Sequence, residues 1–499
     1  MEAGAGGAAA VAASPPPANS GRPGGSPADL RALRAALREA GYDGPRIRDT
    51  LQVATELVSR GPDLALYERR LASAERPLAG LIRLLLLGFD VPEADVAPVD
   101  AELLVRLGLV EDAGGMLRPK LRIVPHDDLL IAADLTDRHD ADHVASVHRP
   151  SIGLSSFTVR RPVESALDVG TGNGIQALLL SKHAERVVAT DVNERALGFA
   201  EFTAGLNDIH NIEFRAGSFF EPAHGERFDL VVSNPPYVIS PETALIFRDS
   251  GKPGDTVSGD LVAELPAHLT EGGFGTVMVS WIAGEDPLER PRSWLEGNGC
   301  DAWIIQTGTE DALGTAAAWN RAAGTETEGY AERVDAWLEY YRELGIESIG
   351  YGTIVMRRRS GGENWVRAAD LPADRLHPAS DHLQRMFAAP DLLDSVLDIP
   401  LVLADGAFVD RTARLDAGDW AFVTAAVRLE TGIGFGVNLD AYGAVLIAAF
   451  DGQGPLRARL AEIAAGLGAP EEEFVKFADR LARHLVEHGL AVPAPTPPQ

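Results

Sequence analysis

The stretch FDLVVSNPPYVISP, residues 228–241, runs an apolar strand pattern straight into Asn234, two prolines and Tyr237. Proline lacks a backbone donor and fixes φ, so the pair ends the sheet abruptly and holds the residues around it in one extended shape. That geometry suits a plain strand terminator. It equally suits a rigid frame that presents the Asn234 side chain and bare main-chain carbonyls to a ligand, and the surrounding sequence has to separate the two.

Upstream, LDVGTGNG at 167–174 ends another apolar strand in a turn containing Gly170, Gly172 and Gly174. Such a turn lets the backbone approach a ligand closely, at a point where the following helix offers free N–H groups. The spacing is G-x-G-x-G with Ile175 next, so the dinucleotide fingerprint fails at its third glycine. Asp168, just before the first glycine, is placed to meet an amino or cationic group and would repel a pyrophosphate. The next strand, ERVVATD, ends at Asp191, at a tip where a carboxylate accepts both hydroxyls of a ribose. The competing role for Asp191 is N-cap of the helix that begins NERALGFAEFTAGL. A ligand with a ribose, an amino-acid cation and no phosphate fits S-adenosylmethionine.

In order and spacing, LDVGTGNG, ATD and SNPPY resemble the class I S-adenosylmethionine-dependent methyltransferases. NPPY resembles the branch that methylates nitrogen, which includes the release-factor glutamine methyltransferases and enzymes acting on adenine or guanine amino groups. The resemblance covers about residues 145–360. It implies that Asp168, Gly170, Gly172 and Gly174 bind the methionine part of the cofactor, that Asp191 binds the ribose, and that Asn234, Pro235 and Tyr237 handle the substrate nitrogen, with Asn234 also bordering the cofactor. Ser218, in RAGSFFEP, stands where the family usually has an acidic or amide residue near the adenine amine. GLSSFTV, at 153–159, resembles the family's cofactor-side loop. No metal is implied.

With that resemblance the NPPY frame acquires a chemical purpose. An amide or aromatic amine is a poor nucleophile because its lone pair is delocalised. Two rigid acceptors, the Asn234 side-chain oxygen and the Pro235 carbonyl, would take its N–H bonds and aim the lone pair at a sulfonium methyl, while the Tyr237 ring stacks on the planar group.

The rest of the chain sets the organisation. Its 499 residues, 45% hydrophobic, suffice for two to four domains with cores of their own. The net charge of −28 repels polyphosphate at long range and lowers the expectation of a nucleic-acid substrate. A single cysteine, Cys300, rules out an internal disulfide and a zinc–thiolate cluster, so a reducing cytoplasm is the expected location. LIRLLLLGF at 81–89 carries Arg83 and is too short for a membrane span. The expected architecture is α/β: a Rossmann-like, seven-stranded methyltransferase sheet at 145–360, flanked by mainly helical, winged-helix-like domains at 27–144 and 361–491, with disordered tails at 1–26 and 492–499. Ser26, Pro27 and Asp29 open the first helix in a capping arrangement. The wing around Gly114-Gly115 carries Arg118, Lys120 and Arg122, which read as a solvated face more readily than as a nucleic-acid contact. His139 and His143 have helical metal-ligand spacing but read as a polar face. The loop FRDSGKPGDTVSGD, with Arg248 and Asp249, reads equally as a cover over the substrate or as a plain loop.

The expected function is S-adenosylmethionine-dependent N-methylation of an amide or amine, on a protein, peptide or small molecule. The alternative is methylation of an exocyclic amine in RNA. A third reading, a cofactor-sensing DNA-binding regulator, leaves the complete Asn-Pro-Pro-Tyr frame without a purpose.

Overall fold

In the computed structural model the described residues are 21–495, apart from 59–60, 62, 137, 139, 244, 250, 323–328, 362, 372–376 and 417. The expected tails fall mostly outside them, and so does His139. Residues 21–26 belong to the folded body: Gly24 N–H donates to the Leu107 carbonyl, and Ser26 and Asp29 form a complete capping box on the helix Pro27–Glu39. At the other end the strand Ala491–Pro493 pairs with Pro400–Leu403, so the C-terminal tail begins later than residue 492.

The centre of the molecule is a single large sheet, because short apolar runs alternate with helices that cover both of its faces. Its strands are β1 (Val163–Val169), β2 (Ala184–Asp191), β3 (Ile212–Ala216), β4 (Phe228–Ser233), β5 (Leu269–Ala283), β6 (Cys300–Asp311), β7 (Ser348–Arg358) and β8 (Val366–Asp370). They lie in the order β8-β6-β7-β5-β4-β1-β2-β3. β7 is antiparallel to both β5 and β6, and the other pairings are parallel. All seven expected strands are present, but the sheet has eight. The eighth lies past the expected domain boundary at 360: VRAAD pairs in parallel with β6 and covers an edge that would otherwise expose unpaired backbone groups.

Four further helices matter here: α1 (Arg149–Phe157), α2 (Ile175–Leu180), α3 (Glu194–Leu206) and α4 (Tyr330–Glu343). The N-terminal helices do not form a separate core. Leu33, Leu84 and Leu104 share one cluster with Phe199 and Phe202 of α3. The hairpin Leu121–His126/Leu129–Asp134 is sewn to α3 by polar groups, with Leu130 N–H donating to Asn207 Oδ1 at 3.0 Å and Ala132 N–H to Thr203 Oγ1 at 3.2 Å. The Gly114-Gly115 turn exists, both residues having positive φ. Arg118 is ion-paired with Asp90 and Glu111, and Arg122 is buried, donating to the Leu86 and Val58 carbonyls.

The C-terminal stretch differs from the expected helical unit. Its helix α5 (Ser380–Ala388) buries Leu383, Met386 and Phe387 in the same core as Trp303 and Val355 of the central sheet. It then forms a long hairpin, Ala407–Asp416 with Asp419–Leu429, whose alternating residues and Gly418 turn specify β structure; the tip stands in solvent, with Trp420 74% exposed. The chain closes on the amphipathic helix α6 (Glu471–Glu487). Among the described residues no helix is long and apolar enough to cross a membrane.

Candidate active site

β4, β1 and β2 are adjacent, and their C-terminal ends open into one cavity of about 430 Å³. This is the switch point of the sheet, where chain direction relative to strand order reverses and a crevice is left. Gly170, Gly172, Asp191, Ser218 and Asn234 line it.

The glycine turn is left-handed three times, with φ of +74° at Gly170, +56° at Gly172 and +89° at Gly174. A Cβ on Gly170 or Gly172 would meet nothing within 4 Å, whereas one on Gly174 would meet Ala200 Cβ and Leu178 Cδ1 at 3.0 Å. The first two glycines therefore keep backbone open to the cavity, and the third lets α2 approach α3. The turn is tied to the tip of β2 by the N–H groups of Gly170 and Thr171, which both donate to the Thr190 carbonyl at 2.9 Å.

Asp191 reinforces this tie. Its Oδ2 accepts the Gly172 N–H and its Oδ1 the Asn193 N–H, each at 2.8 Å. Burial raises its carboxyl above the usual range, against the pull of those backbone bonds. The cap of α3 is Asn193, whose Oδ1 accepts from Arg195 N–H and Ala196 N–H, so Asp191 is free of the capping role and lines the cavity. Asp168 departs from expectation. It is buried beneath the turn, its Oδ2 accepting the Thr171 hydroxyl at 2.7 Å and the Ala177 N–H at 3.0 Å, and it does not line the cavity. Burial, opposed by these two bonds, pushes its carboxyl up to about 7. It shapes the turn from behind.

On the opposite wall Asn234 follows β4 directly. Its Oδ1 is buried and has no hydrogen-bond partner among the described residues. A buried amide oxygen without a partner costs about 1–3 kcal/mol, a cost that native structures keep where a ligand supplies the missing bond. Pro236 lines the cavity beside it; Pro235 and Tyr237 do not. The Pro235 carbonyl already accepts the Tyr237 N–H at 2.8 Å, leaving it one further lone pair. The Tyr237 ring is turned into an aromatic cluster with Trp337 and Tyr341 of α4 and is no stacking platform in the cavity; the Tyr237 carbonyl accepts the Ser280 hydroxyl. The cause is α4 itself, which packs under the frame: Tyr341 Oη donates to the Ile239 carbonyl at 2.8 Å and Trp337 Nε1 to Glu242 at 3.1 Å.

The loop after the frame does reach the cavity, through Ile246, Phe247, Asp249 and Gly251. Arg248 fixes it, pairing with Asp249 and Glu242 and lying 5.7 Å over the Trp337 ring. Several lining residues were not singled out by sequence: His148, Asn173, Asn193 and Phe219; His143, read from sequence as part of a polar face, lines the cavity as well. The two asparagines carry the roof. Asn173 Nδ2 donates to the Ala145 carbonyl at 2.9 Å and Asn193 Nδ2 to the Asp142 carbonyl at 3.0 Å. Phe219 sits at φ +44°, a left-handed strain that a non-glycine residue keeps only where its surroundings fix it. The one available signal was an aromatic directly after Ser218. Residues 153–157 are helical and 153–159 are absent from the cavity wall, so GLSSFTV packs into the core and forms no cofactor-side loop.

Residues 153–279 match the methyltransferase small domain family, and residues 386–493 match a domain of unknown function (DUF7782). The release factor glutamine methyltransferase of Xylella fastidiosa is 36% identical over 131 residues, which is 26% of this chain and 44% of that protein. Its counterpart in Koribacter versatilis is 30% identical over 184 residues, 34% of this chain and 62% of the relative. The ribosomal protein L11 methyltransferase of Lactobacillus helveticus is 34% identical over 142 residues, 28% and 37% of the two chains. A solved methyltransferase from Pyrococcus furiosus aligns with 42% of this chain and 77% of its own at 20% identity, with a TM-score of 0.27. This chain spans less than two thirds of the length of each of these three curated relatives. Its central part is a methyltransferase domain.

Proposed function

We propose that this chain binds S-adenosylmethionine at the cavity and transfers its methyl group to an amide nitrogen of a protein or peptide. The observation that carries the reading is the unpartnered Asn234 Oδ1 beside the cavity. The names of the glutamine methyltransferases that resemble the domain support the amide as acceptor.

The residues present suit the cofactor. Gly170 and Gly172 leave space that a side chain would fill, and the Asp191 carboxylate at the β2 tip matches a ribose diol. Ser218 and Phe219 flank the same end, where an adenine would lie. Bound there, S-adenosylmethionine supplies an electrophilic methyl on a sulfonium. Asn234 Oδ1 accepts one N–H of the substrate amide. The remaining lone pair of the Pro235 carbonyl accepts the other, which holds the nitrogen with its lone pair turned to the cofactor. Asn234 does not ionise, so it orients the nitrogen by hydrogen bonding and takes no proton; the proton that the nitrogen would lose on methylation passes to solvent water. Tyr237 acts indirectly, by anchoring the frame to α4.

RNA methylation is not favoured. Of the basic wing residues, Arg118 is paired with two carboxylates and Arg122 is buried. The reading of the N-terminal unit as a winged helix rests on its helices followed by the Gly114-Gly115 hairpin, and we assign it to substrate-protein recognition. Labelled S-adenosylmethionine incubated with the full chain and separate protein, RNA and small-molecule fractions tests the proposal. Label should enter the protein fraction as N-methyl amide. Label confined to RNA, or methyl groups found only on oxygen, would overturn it.

A further inference from the structure

Far from the cavity, α6 ends against the outer edge of the central sheet. His484 and Glu487 lie in its last turn and His488 is its C-cap. The i, i+4 spacing of the two histidines places both rings on one face, a turn apart. One ligand atom from each of His484, Glu487 and His488 lies within 4.8 Å of the others, and the two imidazole centroids are 4.2 Å apart.

The surroundings orient this trio from behind. His488 Nδ1 donates to the His484 carbonyl at 2.9 Å, which fixes the tautomer and leaves the Nε2 lone pair for a ligand. Arg367, on β8, holds Glu487 Oε1 at 2.6 Å and leaves the second oxygen. Hydrogen bonds of this kind, a backbone carbonyl on a histidine and a donor on a carboxylate, are what set the direction of metal ligands. The end of α6 adds the negative pole of a helix dipole. Among the described residues Arg367 is the cation ion-paired with the trio, and its charge is matched by Glu487.

We propose that His484, Glu487 and His488 bind a divalent transition-metal ion of the zinc class. Two imidazoles and one carboxylate are a donor set that such ions take in tetrahedral geometry, with a fourth position for water. The site lies at a seam: Arg367 belongs to the edge strand, and the His488 ring packs 6.3 Å from Trp303 of β6 and 5.1 Å from Phe435. A bound ion therefore stiffens the end of α6 where it meets the methyltransferase sheet.

The test uses the full chain, stripped with a chelator and titrated with zinc alone by calorimetry. About one equivalent should bind with micromolar affinity, and the melting temperature should rise with zinc and fall back on adding EDTA. Cobalt(II) should give a visible d–d spectrum in the same protein. His484 is exposed, so His484→Ala should fold normally while losing on the order of tenfold or more in affinity, together with the zinc-induced rise in melting temperature. His484→Ala,His488→Ala should lose the cobalt spectrum. Zinc binding as tight in the double variant as in the parent, or neither heat nor a melting shift with zinc, would overturn the site.

Discussion

The two walls of the cavity satisfy their polar atoms in opposite ways. On the cofactor side, Asp168 and Asp191 direct their oxygens to N–H and O–H groups of the chain: Thr171, Ala177, Gly172 and Asn193. The wall is shaped before any ligand arrives. On the acceptor side, the Asn234 oxygen has no partner among the described residues, while the frame beside it is held by the Tyr237 N–H on the Pro235 carbonyl and the Tyr341 hydroxyl on the Ile239 carbonyl. The contrast separates groups that hold the site's shape from an acceptor kept for chemistry, and mutations on the two sides should fail differently.

The largest expected effect is on stability and belongs to the cofactor wall. Asp168 is held at about 7 in the folded chain against an ordinary value near 3.8. The folded state therefore keeps this proton longer than the unfolded state does, so the group costs nothing below about pH 4. Its penalty grows as pH rises to about 7, reaching about 4 kcal/mol. Asp168→Asn can keep both bonds now made to Oδ2 while losing the charge. Relative to the parent it should gain stability between pH 4 and 8, as measured by denaturant unfolding at each pH. A constant difference across that range would mean that Asp168 is charged and fully compensated.

Next comes Asn234→Ala. Turnover should fall on the order of a hundredfold or more while cofactor affinity stays near that of the parent. Removing an unpartnered buried oxygen also relieves the apoprotein, so the variant should melt no lower. Parental activity in this variant would remove the basis for the amide mechanism. On the facing wall, Asp191→Ala should weaken S-adenosylmethionine by roughly 1–3 kcal/mol in a calorimetric titration. It should also loosen the glycine turn, because the Gly172 N–H loses its acceptor. Unchanged affinity would reduce Asp191 to that structural tie.

The cofactor wall was legible in the sequence because it is local. A glycine turn and a carboxylate at consecutive strand tips are written in short runs, and seven strands of the sheet follow from the same alternation. The acceptor wall was legible only at Asn234. Where Pro235 and Tyr237 point is settled by α4, roughly a hundred residues away in sequence, whose Trp337 and Tyr341 draw the Tyr237 ring into their own cluster. Asp168 was misplaced for a related reason: its position before the glycines says that it is near the turn and does not say on which side. β8 escaped because a five-residue strand beyond a glycine pair looks like linker until the open edge of β6 is known. The trio at the end of α6 has helical spacing in the sequence but was passed over, because that spacing alone does not show the Arg367 pair and the backbone carbonyl that orient its ligand atoms.

The smallest expected effect tests whether α4 serves the acceptor wall alone. Tyr341→Phe keeps the buried ring and removes only the hydroxyl that donates to the Ile239 carbonyl at 2.8 Å. The carbonyl left behind is buried without a partner, so unfolding should become easier by about 1 kcal/mol. Ile239 lies two residues beyond Tyr237, and slack introduced there reaches Asn234 along a backbone that the two prolines keep stiff. Methyl transfer should therefore fall a few-fold at unchanged cofactor affinity, with the loss divided between the acceptor KM and kcat, since a misaligned amide is both bound and attacked less well. A drop in S-adenosylmethionine affinity in Tyr341→Phe would instead show that the two walls are mechanically one, and that the division between shape and chemistry does not hold.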